Sequence, residues 1–469
     1  MSMNAWRAAT AMLSLAIAGC AAVPLEAGRS GSLGLVRQRV PAALSDAATR
    51  AVTARETDAA VQTQLRAWLA SPLTLDAAVR IALLRNPRMQ VAWAQIGTSA
   101  ADVFEAGRLQ NPAVSAALLF PLGDAAGNKF SVGASLGFAE LLFRRASTHI
   151  AAADFERRKA EVAGAILDVV SDTQRAWVDA VAAAQRMRVR QAIHEAADVA
   201  SDLAGRYLEA GNVGDLELQV QRAAASEARI AARRAEAELA DARSTLLKQL
   251  GLGTDAIWSL PDSLPAVQDD APLELLRLQA QAREQRLDLI AARHRVDALT
   301  QRLGATRRYR FLARSDAGAA FEREADGSKR LGPSVSLELP LFQQGQGRVV
   351  RAVAELEQAQ AVQRELEIAI DADVQQQLQR VALASDAATG YREGLIPQRE
   401  AIVARLQEQA NFMIVDTFKV LLAKQQEYAA YDGYVDAVQD YWRARVALLR
   451  AVGTQLVATL PVAATEEGT

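Results

Sequence analysis

Along most of the chain, apolar residues recur at intervals of three and four. Leu75, Val79 and Leu83, then Met89 and Trp93, follow this spacing, as do Val162, Ile166, Val169 and Trp177 with Thr173 in the same stripe. Such stripes predict amphipathic helices packed on their neighbours. Ser71, Pro72 and Asp76 read as the start of the first of these helices. No proline occurs between Pro121 and Pro261. Residues 146–209 alone would make about 96 Å of helix at ~1.5 Å per residue. The turn Ala210–Asp215, with two glycines and an asparagine, breaks this helix, and a second one should end at Leu250 with Gly251 as its C-cap.

Two pairs of segments follow a different period. Residues 112–122 and 130–143, and later 309–324 and 331–342, are strand-like. In the second segment Phe130, Val132, Ala134, Leu136 and Phe138 share one face, and Ser131, Gly133, Ser135 and Gly137 share the other. In the third, Tyr309, Phe311, Ala313 and Phe321 oppose Arg310, Arg314, Asp316 and Glu322. In the fourth, Val335, Leu337, Leu339 and Leu341 oppose Ser334, Ser336 and Glu338. Phe143, Pro340, Phe342, Gly345 and Gly347 are candidates for the turns from strand into helix.

The order helix, strand, strand, long helix, helix occurs twice. Gly133 and Gly332 occupy matching places, as do Phe143 and Phe342, and Gly251 and Gly453. This marks a duplicated structural unit. Repeats are expected at 71–265 and 266–455, with a tail at 456–469. The second should contain a helix over 273–302 and a long helix over 347–410 that Pro397 kinks, broken at Asn411–Asp416.

The amino terminus adds an address. Arg7, a short apolar stretch to Ile17 and "IAGC" read as a signal peptide over 1–19, with Cys20 as the lipidated first residue of a tail over 20–70. The apolar stretch is too short to span a bilayer. Cys20 is the only cysteine, so the mature chain can form no internal disulfide. Hydrophobic residues make up 51% of the chain but aromatics only 5%, which suits long alanine- and leucine-rich helices better than a compact enzyme core. With 53 basic against 55 acidic residues, interspersed, no basic surface for nucleic acid stands out.

Aliphatic residues on one face and polar residues on the other, over about ten residues, is the pattern of a transmembrane β-strand. Four strands cannot close around a water-filled lumen, and open edges are not tolerated in lipid. More than one chain must therefore contribute. At this point "LTLDAAVRIALLRNPRMQVA", "EAGRLQNPAVS", "YLEAGNVGDLELQVQRAAASEAR", "LLKQLGL", "GPSVSLELPLFQQGQGR" and "GLIPQRE" occur in an order that resembles the TolC-like outer-membrane efflux proteins. The resemblance covers residues 73–453. It implies a mainly α fold with a small membrane β-barrel: a homotrimer with four strands per chain, a twelve-stranded barrel and a long periplasmic α-helical barrel. It also implies a lipid-anchored outer-membrane location and partners in a periplasmic adaptor (membrane fusion) protein and an inner-membrane transporter. The turns 123–129 and 323–330 would then face outside the cell. Gly211, Asn212, Asp215, Asn411 and Asp416 would ring the periplasmic mouth as candidate gate and adaptor-tip residues. The first repeat has "LLFRRAS" in place of the glycine run of the second, and "ANFMIVD" lacks a glycine.

Catalytic chemistry is absent from the pattern. His149, His194 and His294 are scattered on helices, no thiol remains beyond Cys20, and "GQGR" lacks the lysine and spacing of a phosphate loop. Neither a metal nor a cofactor is expected, and the chain does not read as an enzyme. A passive exit duct and a lipid-anchored periplasmic coiled-coil scaffold or adaptor without a pore are the two competing readings. The paired amphipathic strands favour the duct, since a scaffold has no use for them. Cys20→Ala is expected to abolish palmitate labelling in cells; label retained on that variant would remove the lipoprotein assignment.

Overall fold

The computed structural model describes residues 25–39, 46, 59–109, 111–120, 128–267, 273–311, 315–324 and 326–454. The expected signal peptide, Cys20 and most of the turn 123–129 lie outside them. The elements in chain order are α1 (Leu25–Arg37), α2 (Ala59–Leu69), α3 (Leu75–Arg85), α4 (Pro87–Ala106), β1 (Ala113–Leu119), β2 (Lys129–Gly137), α5 (Phe138–Glu209) and α6 (Asp215–Leu250). They continue with α7 (Leu275–Gln285), α8 (Leu287–Arg308), β3 (Ser315–Arg323), β4 (Lys329–Leu337), α9 (Gln346–Thr389), a π-helical turn at Gly390–Leu395, α10 (Ile396–Asn411) and α11 (Thr417–Val452). The chain divides into two compact units, each drawing segments from both repeats.

The first unit comprises Met1–Gly31, Ala94–Lys159 and Ala291–Val362 and contains the sheet. Its four strands are antiparallel in the order β1-β2-β3-β4. They are shorter than the alternation suggested. Residues 138–143 already belong to α5, so Phe138 and Phe143 are helical and not the end of a strand. Tyr309 follows directly on α8, and β3 begins only at Ser315. Leu339 and Leu341 lie beyond β4. In each case the apolar spacing continues past the last paired residue, so the pattern alone cannot mark where pairing stops.

The second unit comprises Ser32–Trp93, Ala160–Ile290 and Gln363–Thr469 and holds the main core. The stripe Val162, Ile166, Val169, Thr173 and Trp177 is buried throughout, and Thr173 donates its hydroxyl to the Val169 carbonyl at 2.7 Å. Three tryptophans tie the irregular segments before α3 and after α6 into place. Trp177 Nε1 donates to Leu73 O (2.7 Å), Trp442 Nε1 donates to Pro265 O (2.8 Å), and Trp258 is buried beneath Arg243. The start of α3 differs from the Ser71–Pro72 expectation. Leu73 is fully buried and its N–H donates to Ser259 O, which holds it extended, so Thr74 becomes the N-cap and accepts from Ala77 N.

Each repeat breaks its first helix once. Pro87 ends α3 at Asn86, as a proline should. In the second repeat the single helix expected over 273–302 is broken at Arg286, where no proline stands. The duplication supplies the reason. Gly251 and Gly453 close α6 and α11 in left-handed conformations, with φ 65° and 84°. A Cβ on Gly251 would collide with the Arg85 carbonyl, and one on Gly453 would stand 2.9 Å from Arg286 N. Each returning helix thus ends against the kink of its own repeat. Arg286, largely buried there, pairs with Asp288 (2.6 Å) and Asp373 (3.2 Å).

Pro397 is accommodated by the π-helical turn that precedes it. A proline in the second position of α10 has no N–H to offer, and the wider turn absorbs the change in hydrogen bonding. Tyr391 of that turn lies against Gly433 of α11, where any Cβ would overlap its ring.

A ladder of charges sets the register of α5 against α11. Asp179 meets Arg443 (2.5 Å), Arg186 meets Asp436, and Arg190 meets Asp432. Seven and then four residues forward on α5 match seven and then four residues back on α11, as antiparallel helices require. Gln439 fills the step between, donating to Asp179 (3.1 Å) and accepting from Arg186 (2.9 Å). Asp432 is the strained member. Burial pushes its carboxyl above the ordinary range and Asp436 adds to the rise, while Arg190 and Arg186 oppose it. Its Oδ1 is buried without a hydrogen-bond partner.

A raised folded-state value means that Asp432 contributes stability below the unfolded carboxylate pKa and loses it as pH rises through the folded one. Asp432→Asn is therefore expected to match the parent at acid pH and to gain on it as pH rises toward neutral, read from chemical unfolding at a series of pH values. A difference that stays flat with pH would contradict a shifted carboxyl.

Candidate functional site

Two regions carry the features expected of a channel: the sheet with its helix junctions, and the helix tips. In the sheet, directly opposed residues point to the same side. Ala116, Val132, Phe321 and Leu331 oppose one another across all four strands, and so do Val114, Ala134, Ala319 and Pro333. The adjacent rows, such as Ser115, Gly133, Ala320 and Gly332, belong to the other face. One face is therefore aliphatic and aromatic, and the other small and polar. The apolar face is open to its surroundings: Val114, Leu331, Val335 and Leu337 are between 64% and 77% exposed. On the polar face Lys129 bridges Glu322 (3.4 Å) and Glu324 (3.2 Å). β1 and β4 each have one edge that pairs with no strand among the described residues.

At the junction end of the sheet the two repeats use the same device. Arg144 Nε donates to Gly107 O (2.9 Å), and Arg348 Nη2 donates to Arg310 O (2.9 Å). In both cases an arginine after the second strand holds the chain that leads into the first. Of the expected turn residues, Pro340 and Phe342 lie in the segment between β4 and α9, and Gly345 ends it at φ 79°. Gly347 is already in α9. Phe143 sits in α5, with its ring edge-on to Tyr309 at 4.6 Å. The arginine bridges were not apparent from the sequence, although "LFRRAS" and "GQGRVV" occupy equivalent places in the two repeats.

The two helix tips come together in the second unit. Ala204, Leu218 and Phe418 form a small buried cluster supported by Tyr207, Leu208, Val213 and Leu421, and the Tyr207 and Phe418 rings meet edge to face at 5.9 Å. The tips share one backbone design. Gly211 N donates to Leu208 O and Asn212 N to Tyr207 O; Met413 N donates to Ala410 O and Ile414 N to Gln409 O. Both are Schellman closures, which need a left-handed residue. Gly211 takes φ 74°, and Met413 takes φ 60°. The missing glycine of "NFMIVD" is thus replaced by a strained methionine, not by a different tip. Asn411 is the last residue of α10.

The aspartates stand at helix starts without capping through their side chains. Gly214, not Asp215, is the N-cap of α6; Asp215 is its first residue and accepts from Gln219 Nε2 at 3.3 Å. Asp416 is the N-cap of α11 but makes no side-chain capping bond. Their carboxylates are left to favour the helix starts through the dipole. Beside them Leu216, Phe412, Met413 and Ile414 are 70–94% exposed.

Among the described residues no group of histidine, cysteine or carboxylate side chains could hold a metal, and no helix is long and apolar enough to cross a membrane.

Met413→Gly is expected to raise stability and Gly211→Ala to lower it by about 1 kcal/mol, the cost of a side chain in the left-handed region. The gain from glycine is smaller, because it also frees the unfolded chain. Denaturant midpoints of the two variants measure both; shifts of the same sign would refute the shared tip design.

Comparison with known proteins follows the same lines. The outer membrane efflux protein family's profile matches residues 78–252. Among solved structures, a membrane protein from Pseudomonas aeruginosa superposes with a TM-score of 0.68 at 19% identity, covering 81% of this chain and 93% of its own. The outer membrane protein VceC from Vibrio cholerae gives 0.67 at 15% identity, covering 81% and 96%. The open-state MtrE outer membrane channel of Neisseria gonorrhoeae gives 0.66 at 15%, covering 81% and 89%. A search of curated proteins returns no match. The chain carries the sequence signature of the outer membrane efflux protein family in residues 78–252 and has, over 81% of its length, the fold of TolC-like outer-membrane channels.

Proposed function

We propose that this protein is the outer-membrane exit channel of a tripartite efflux pump. It is a passive duct, not an enzyme, through which small molecules or metal ions leave for the exterior. The observation that carries this is the sheet: one face largely apolar, with Arg323 and Lys329 only at its turn end, one small polar face, and two edges open among the described residues. Such a sheet is stable in lipid only as part of a closed barrel. An even number of strands per chain lets β4 of one copy pair antiparallel with β1 of the next. Three copies give twelve strands, wide enough for an aqueous lumen lined by the polar face. Exposed aliphatic strand residues speak against the scaffold reading, which would leave them in water.

The same reading assigns the remaining parts. The channel is a homotrimer in the outer membrane with its helices in the periplasm, anchored in addition by acyl chains on Cys20. Its partners are a periplasmic adaptor protein and an inner-membrane transporter, and the helix tips are the contact and the gate. Asp416, unbonded at its side chain and repeated three times around the mouth, would repel anions and favour cations, as charged rings do in other pores.

Purified trimers in a planar bilayer are expected to conduct, and Asp416→Ala to raise conductance or weaken cation selectivity. Correctly assembled trimers that carry no current would sink the exit-channel reading. A conducting variant with unaltered conductance and selectivity would leave Asp416 only its place at the helix start.

A further inference from the structure

We propose that the junction end of the sheet carries an arginine belt that binds the phosphate headgroups of anionic phospholipids. This rests on the membrane reading above. It adds a site and a ligand class.

The charge is unevenly placed. The whole chain is nearly neutral, yet residues 105–112, 138–149, 304–314 and 338–350, the four passages between strand and helix, hold eight arginines against three glutamates. The register brings these passages to one end of the sheet, because Ala113 opposes Ser135, Gly137 opposes Asp316 and Ser315 opposes Leu337. Every passage contributes. Arg108 precedes β1; Arg144 and Arg145 follow β2; Arg307, Arg308 and Arg310 precede β3; Arg348 follows β4. All seven are exposed.

Exposed arginines without an ion pair also occur elsewhere, Arg323 at the far end of the sheet among them, but the junction gathers the largest group of them between strand and helix. At the opposite end of the sheet Lys129 is paired with Glu322 and Glu324. On the helix, Arg302 already pairs with Glu355 at 3.5 Å. From Arg144 to Arg348, the six junction arginines other than Arg108 make no ion pair with a carboxylate among the described residues. Two of them are held by backbone carbonyls, and others lie over aromatic rings: Arg310 over Phe311 at 4.3 Å and Arg308 over Tyr309 at 5.6 Å. Arg108 lies over Phe104 at 4.1 Å. Ring stacking and a carbonyl contact each leave guanidinium N–H groups for another acceptor.

Beside the belt stand the exposed apolar residues that would enter hydrocarbon, Leu339, Leu341 and Phe342, the last 93% exposed. Apolar side chains, aromatic rings and then guanidinium groups follow one another in the order of acyl chain, interface and headgroup. A phosphodiester can take two parallel N–H donors from one guanidinium. The occupant is therefore an anionic phospholipid of the leaflet at the helix side of the barrel.

The test uses full-length trimers bearing Phe342→Trp, reconstituted in phosphatidylcholine vesicles that contain a minor fraction of brominated lipid. Quenching is read as the difference from the parent chain, whose own tryptophans provide the background. Brominated phosphatidylglycerol is expected to quench more than brominated phosphatidylcholine, with local enrichment of about fivefold per headgroup contact at low salt and loss of the preference at high salt. Changing Arg144, Arg145, Arg307 and Arg308 together to Gln should remove the preference, and changing them to Lys should keep most of it. Equal quenching by both lipids would overturn the belt while leaving the membrane barrel standing. A preference that survives the four Gln changes would overturn the assignment to these arginines. No quenching by either lipid would mean that Phe342 does not face lipid, and the membrane reading would fall together with the belt.

Discussion

Each unpaired backbone N–H or C=O left in hydrocarbon costs several kcal/mol, and the outer edges of β1 and β4 present a row of them. No rearrangement within one chain removes both edges, because four strands are too few to curl into a tube with a lumen. The edges must be covered by strands of the same kind, and the nearest supply is another copy. The alternation of faces then fixes which side meets lipid. A slip of one residue between copies would turn Val335 and Leu337 toward the lumen and Ser334 and Ser336 toward lipid. In the proposed barrel, oligomer, register and lumen chemistry would all follow from the same backbone requirement.

The helices solve a different problem. A helix as long as α5, with 72 residues, cannot be held by one small core. It is held instead by repeated local contacts: the apolar stripe through Trp177 and the ladder of Asp179, Arg186 and Arg190 against α11. Partly exposed ion pairs contribute little each. Their value here lies in register, since a one-turn slide of α11 would take Arg443 away from Asp179. The glycine ends of α6 and α11 add a stop, because each abuts the kink at Asn86 or Arg286 and leaves no room for a Cβ.

Much of this could be read from residues alone, and the failures have physical causes. Period-two alternation identified all four strands, and the 3.6-residue period identified the buried stripe of α5. Both periods run past the ends of the elements they mark. Phe138 kept the apolar spacing of a strand while belonging to a helix, and Tyr309 kept it directly after α8 and before β3. The kink at Asn86 was legible because Pro87 announces it. The one at Arg286 was not, because no proline marks it and the glycine packed against it, Gly453, comes from another helix. At the tips the sequence offered Gly211 on one side and nothing equivalent on the other. Setting Met413 against Gly211 through the duplication would have pointed to its left-handed backbone, whereas composition could not. The place of Asp215 and Asp416 at helix starts was legible, but the lack of a side-chain cap bond was not, because a residue type suited to capping does not fix where its carboxylate turns.

Arginine shows how far context decides chemistry in this chain. On α5 and α11 it faces carboxylates across a helix pair and sets register. At Arg286 it is drawn into a largely buried position, where two aspartates must offset the desolvation that burial imposes. At the junctions with the sheet six arginines form no ion pair among the described residues, and four of these lie against a ring or a carbonyl. A count of basic and acidic residues over the whole chain cancels these differences. The field that a neighbouring molecule meets does not cancel, because interactions between exposed charges are screened beyond about 10 Å. A protein with a net charge near zero can therefore present a strongly basic band wherever its topology gathers arginines and leaves the acids elsewhere. Duplication makes that gathering efficient: one arginine-bearing passage between strand and helix, copied once along the chain, would become a ring when repeated by each subunit of the proposed trimer.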